Sequence, residues 1–198
     1  MKKRMLLLLL IPLPIFAQSL YIDNGIAISK SKSDIFGTGE TSITYSPMLG
    51  IDYLNHYHWN LTNEIGFITK GNIVSNWVDN NGITIIDQIK LHYIQIDALF
   101  RYKVHVNTFT IYAGIGPKFD ILVSKSTKYQ QYLKEYDFNS INYGVKPVFG
   151  ILHTKNKLSL GLNFSYLVNF NCLAENRAIY LKFNNDTYRV AASIGYTF

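Results

Sequence analysis

Charge is scarce in this chain. Asp, Glu, Lys and Arg make up 16% of its 198 residues, against about 25% in an average soluble domain, too few to clothe a water-facing surface. Cysteine is nearly absent: Cys172 stands alone, which excludes an internal disulfide framework. No apolar run reaches the roughly 20 residues that a membrane-spanning helix needs. No segment sustains a 3.6-residue period either, so helical bundles and helical membrane proteins are excluded together.

What the chain has in abundance is alternation and aromatic residues, with 15 Tyr and 12 Phe. The clearest case is the closing strand. Tyr188, Val190, Ala192, Ile194, Tyr196 and Phe198 fall on one parity, and Arg189, Ala191, Ser193, Gly195 and Thr197 on the other. A period of two with one greasy and one small or polar face is a β-strand between unlike environments.

The start of the chain is of another kind. Met1-Lys-Lys-Arg4, the apolar run Met5 to Phe16 and then Ala17-Gln18 read as a secretory signal peptide cut after Ala17. This divides the chain into a signal peptide, 1–17, and a single barrel domain, 18–198. Loss of Lys2, Lys3 and Arg4 lowers the formal charge from +6 to +3, so the basic balance is no argument for a nucleic-acid partner.

Alternation recurs along the rest. Strands are predicted near Leu20 to Ser29, Thr41 to Tyr53, Leu61 to Lys70, Tyr93 to Val104, Phe109 to Ile121, Ile141 to Ile151 and Leu158 to Asn171, before the closing strand. Pro47 removes a ladder donor from the second. Asn81-Gly82 between Trp77-Val78 and Ile83 to Ile86 signals a hairpin that prolongs two strands beyond a membrane. The connections Asn55 to Trp59, His105 to Asn107 and Lys155 to Lys157 are short. They alternate with long ones, including Ser124 to Ser140, where Tyr129 to Tyr136 fits a helical turn, and Cys172 to Asp186, within which Ile179, Tyr180, Leu181 and Phe183 can extend the ladder as another hairpin.

The fold expected is all-β: an eight-stranded antiparallel up-and-down transmembrane β-barrel preceded by a cleavable signal peptide. Only a closed ring pairs every backbone group in hydrocarbon. Lipid would meet the apolar face, with aromatic girdles of Tyr53, Tyr102, Phe109 and Phe198 at one edge and Tyr45, Tyr143, Tyr166, Phe170 and Tyr188 at the other. Inside would lie a lumen charge network of Asp52, Glu64, Lys70, Asp97, Arg101, Lys103, Lys118, Asp120, Lys146 and Arg189, with Leu99 interrupting the polar row. A soluble lipocalin-like barrel would show the same alternation turned inside out.

Three stretches carry a family resemblance: Phe16-Ala17-Gln18, Ile111-Tyr-Ala-Gly-Ile-Gly-Pro-Lys-Phe119 and Gly195-Tyr-Thr-Phe198. In this combination the chain resembles the PorT-like family of small outer-membrane β-barrel proteins. The resemblance implies the outer membrane of a Gram-negative bacterium and brings no catalytic residues; the member that names the family serves a protein-secretion apparatus.

Function classes follow from the candidate sites. Gly114 and Gly116 lack the helix of a phosphate loop and read as space-savers on the lumen face. His56 and His58 share a parity without an evident third metal ligand. His92 is the one histidine near the outer rim, with His105 and His153 at the other end, and no His-x-Ser arrangement occurs in the chain. Loop aromatics Trp77, Tyr129, Tyr132 and Tyr136 are candidate contacts for a partner.

The first reading is a non-enzymatic barrel, without cofactor or metal and with both termini in the periplasm. It meets outer-membrane lipid and, on insertion, the barrel-assembly machinery, and it binds an envelope or secretion protein through its extracellular loops. An outer-membrane enzyme or narrow solute channel, and a soluble secreted barrel with an apolar ligand, are the alternatives.

Overall fold

The computed structural model describes residues 17–33, 37–78, 84–126, 137–176 and 181–198, with side chains left out at 17, 33, 37–40, 72–78, 84–88, 176 and 181. Its elements are all strands: β1 (Ala17–Ser33), β2 (Gly37–Tyr45), β3 (Met48–Tyr53), β4 (Trp59–Val78), β5 (Thr84–Val106), β6 (Phe109–Ile115), β7 (Pro117–Ser126), β8 (Asp137–Phe138), β9 (Ile141–Val145), β10 (Val148–Lys155), β11 (Leu158–Asn169), β12 (Ala174–Asn176) and β13 (Leu181–Thr197).

Three pairs of these are single staves interrupted in the middle, β2 with β3, β6 with β7 and β9 with β10, so the wall has eight staves in chain order. Every neighbouring pair is antiparallel. The ring closes where β1 meets β13, from Ser19 opposite Thr197 to Ser33 opposite Phe183. β13 in turn pairs β11 on its other edge. An eight-stranded antiparallel barrel is the result, as the alternation predicts.

The three interruptions share one chemical cause. They fall at Ser46-Pro47, at Gly116 before Pro117 and at Lys146-Pro147. A proline has no N–H to give to the ladder. Register nonetheless resumes unshifted: Ile26 faces Tyr45 on one side of the first break, and Asp23 faces Met48 on the other. Of the three prolines, Pro47 alone draws notice in the sequence.

Which way the faces point is settled by exposure. Leu160, Leu162 and Phe164 are 56%, 60% and 46% exposed, whereas Lys118, Asp120 and Arg189 are at 0%. A soluble barrel would have these reversed, so the lipocalin-like alternative falls. Tyr102, Phe109 and Phe198 ring the outside near the short turns, with Tyr45, Tyr143, Phe170 and Tyr188 near the opposite end.

Several boundaries differ from the sequence reading. The closing strand starts at Leu181 rather than Tyr188, and Phe183 pairs with Ala174 in the further hairpin that the apolar residues there allow. The first strand runs on to Ser33, and the segment read as a loop from Ser124 begins with strand to Ser126 and ends with Asp137–Phe138. Extra pairing partners beyond the aromatic edge account for each extension. The helical turn proposed at Tyr129 to Tyr136 and the Asn81-Gly82 turn lie outside the described residues.

Candidate functional site

β5 gives the axis of the lumen, because its inward residues run from one end to the other: Leu91, Tyr93, Gln95, Asp97, Leu99, Arg101 and Lys103. Three layers are strung along it.

Nearest the long hairpins is an apolar plug. Ala27, Ile68, Ile89, Leu91, Tyr93, Leu167, Leu173, Ala174 and Phe183 pack together there, with Leu122 and Phe138 against them. The sequence reading missed it, although parity already turned Ile68, Leu91 and Leu167 inward. A lumen read as polar throughout left no place for them.

The middle layer is ionic. Lys146 reaches Asp97 Oδ2 at 2.7 Å and also bonds Glu64. Arg101 Nη2 donates to Glu64 Oε1 at 2.5 Å and to the Tyr21 hydroxyl at 2.8 Å, and the Tyr21 hydroxyl donates to Glu64 at 2.6 Å. Gln95 donates to both oxygens of Asp97. On the hairpin side, Lys70 and Lys118 share Asp120 Oδ2 at 2.5 and 2.6 Å, and both donate to Asn169 Oδ1. Across the barrel, Arg189 meets Asp23 at 3.3 Å while Ser193 and Asn163 also donate to that carboxylate.

Buried ions need partners on every side, since the cost of taking each from water is several kcal/mol. The two chemical types are therefore interleaved. Asp23 is the charged member absent from the sequence-derived set, though it shares the inward parity of Tyr21 and Ala27. Tyr21, Gln95, Asn163 and Asn169 complete the network as uncharged members.

Below the ions lies a vestibule open toward the short turns. Its floor is the Arg101 guanidinium, held between the rings of Tyr21 and Tyr112 at 5.2 and 4.9 Å. Glycine opposite each ring is what lets them lie flat: a Cβ on Gly50 would stand 2.0 Å from Tyr21 Cζ, and one on Gly150 2.4 Å from Tyr112 Cζ. The vestibule has a volume of about 190 Å3. Asp52 and Lys103 line it; Asp52 sits 3.7 Å from Arg101, and Lys103 is held by the side chain of Asn55 and makes no ion pair among the described residues. Lys103 thus stands beside the network the sequence assigned it to, not in it.

The remaining candidates are dispersed. A Cβ at Gly114 or Gly116 would strike the carbonyl of Phe100 or Ala98, so these glycines admit close approach of the neighbouring stave. His92 shares a hydrogen bond with Thr69 at 2.9 Å on the outward parity. His105 is pinned between Thr110 and the Tyr57 carbonyl. His56 lies tilted against Trp59, while His58 lies between Tyr57 and Tyr102. Among the described residues no three His, Cys, Asp or Glu side chains gather as metal ligands. Trp77 lies on β4 opposite Ile85, its side chain outside the described set, as are Tyr129, Tyr132 and Tyr136 altogether.

A ring of eight antiparallel staves, greasy outside and ionic within, is the geometry expected of a bilayer protein, and comparison with known families agrees. The family model for the outer membrane protein beta-barrel domain matches residues 16–175. The chain belongs to that family. As a member of it, this barrel sits in the outer membrane of Gram-negative bacteria.

Among solved structures, it is similar to the outer membrane protein OprG from Pseudomonas aeruginosa, with 12% identity, 92% of this chain and 97% of that chain covered and a TM-score of 0.58. It is similar also to Neisserial surface protein A, with 16% identity, coverage of 90% and 97% and a TM-score of 0.54. At such identities the likeness is one of fold. No curated protein matches the sequence.

Proposed function

We propose that this family member is a non-enzymatic barrel that displays long hairpins at the cell surface, with its short turns and both termini in the periplasm. The observation that carries the reading is the β4–β5 ladder, which continues to Val78 opposite Thr84. Strands of 20 and 23 residues far exceed the roughly 9–11 that a tilted strand needs to cross. On the same side, β2 leaves β4 at Pro47. Above that point Ser46 and Thr44 hydroxyls, at 3.0 and 3.3 Å, take the Phe67 and Thr69 carbonyls in place of a ladder. The β1–β2 and β4–β5 hairpins are thus joined there through side-chain hydroxyls and not by a backbone ladder.

A plug and an ion layer across the lumen support display over conduction. The partner proposed is an envelope or secretion protein, in keeping with the PorT-like resemblance of the sequence. Cleavage after Ala17 and delivery by the barrel-assembly machinery belong to the same reading. A protease site inserted between residues 79 and 83 tests it in whole cells: cleavage by external protease is expected. Resistance in intact cells with cleavage after the envelope is opened would overturn the orientation. Ion conductance by the purified barrel in a planar bilayer would overturn the closed lumen.

A further inference from the structure

The vestibule at the turn end holds two opposite charges that do not close on each other. Asp52 has one oxygen engaged, Oδ1, by Thr62 at 2.6 Å and by the more distant Arg101. Among the described residues the Lys103 ammonium makes one hydrogen bond, to Asn55 on the adjoining turn. Both line the same cavity, together with the hydroxyls of Ser19, Thr110 and Tyr112. Elsewhere in this lumen every Lys and Arg among the described residues is joined to a carboxylate. Here an acid and a base are left apart across the vestibule.

From this juxtaposition we infer that the vestibule is a binding site for a small zwitterion, its carboxylate on Lys103 and its ammonium on the free oxygen of Asp52. A molecule carrying both groups satisfies both residues at once. An anion would meet Asp52 as a like charge, and a cation would meet Lys103 and Arg101 in the same way. The floor of Arg101 clamped by two tyrosines is braced by Glu64 and does not open, so the site binds from the turn side and passes nothing onward. The inference is independent of what the hairpins recognise.

Glycylglycine, which carries both charges within this volume, is the probe. Saturation-transfer NMR on the full-length barrel in detergent micelles would compare it with acetylglycine, which lacks the ammonium, and glycinamide, which lacks the carboxylate. Glycylglycine is expected to bind at least tenfold more tightly than either. In Asp52→Asn that advantage over acetylglycine disappears, and in Lys103→Gln the advantage over glycinamide disappears. Two variants on different staves, each checked for the mobility shift on heating that marks a folded barrel, keep the test independent of a folding defect in one. Equal binding of acetylglycine and glycylglycine, binding unchanged in both folded variants, or no saturable signal for any of the three would overturn the proposal.

Discussion

Arg189 and the carbonyl of Ser46 face each other across the lumen, with Nε and Nη2 at 3.2 and 3.1 Å from the oxygen. They lie on β13 and at the β2–β3 break, with β1 between them. The interruption before Pro47 is what frees that carbonyl from a ladder and turns it to the arginine. Arg189→Met should therefore strand both this oxygen and Asp23. A loss of about 3–5 kcal/mol is expected for removing one side of a buried pair, read as a lower urea midpoint for the folded, heat-modifiable form.

Lys146 bridges Glu64 and Asp97, two carboxylates fully enclosed on neighbouring staves. Lys146→Met leaves both without their shared cation and should destabilise by a similar ~3–5 kcal/mol. Adding Glu64→Gln and Asp97→Asn should recover part of the loss. Strict additivity of the substitutions would show that the three do not act as one unit.

Gly50→Ala and Gly150→Ala drive a methyl into Tyr21 and Tyr112, with closest approaches of 2.0 and 2.4 Å. Overpacking of this kind costs about 1–3 kcal/mol. Gly195→Ala meets its nearest side chain, the Tyr21 Cβ, at 3.2 Å and should be milder. Unfolding curves of the three variants, ranked by midpoint, check the order.

Leu162 is on the outward face of β11. Leu162→Arg should cost roughly 2–4 kcal/mol if it sits near mid-bilayer, and Leu162→Ala much less. Refolding yield into lipid vesicles is the measurement. Equal yields for the two variants would place this face away from acyl chains.

Faces were legible in the sequence because a strand's side-chain parity is a local property. Leu158 to Phe170 alternate in the chain as they do in space, and Asp120 and Arg189 point inward where parity put them. What parity could not give was which inward residues meet. Asp23 and Arg189 are separated by 166 positions, and nothing local to either announces the other. The apolar plug is legible only in part: Ile68 and Leu91 fall on the inward parity, but an expected polar lumen has no place for them, and Phe183 falls in the long connection before the closing strand. The prolines at 117 and 147 escaped because alternation continues on both sides of each, and an interruption without a register shift leaves no mark on the pattern.

Closure has a consequence for how the molecule comes to exist. The Ser19 and Thr197 hydroxyls that touch at the seam are 178 positions apart, so the ring cannot be completed while any stave is still being made. Early β1 would meanwhile present a bare edge to any extended chain nearby. Such a polypeptide has to be kept apart from its neighbours until the final stave arrives, and its passage from ribbon to ring is one late event dominated by long-distance contacts, hence slow.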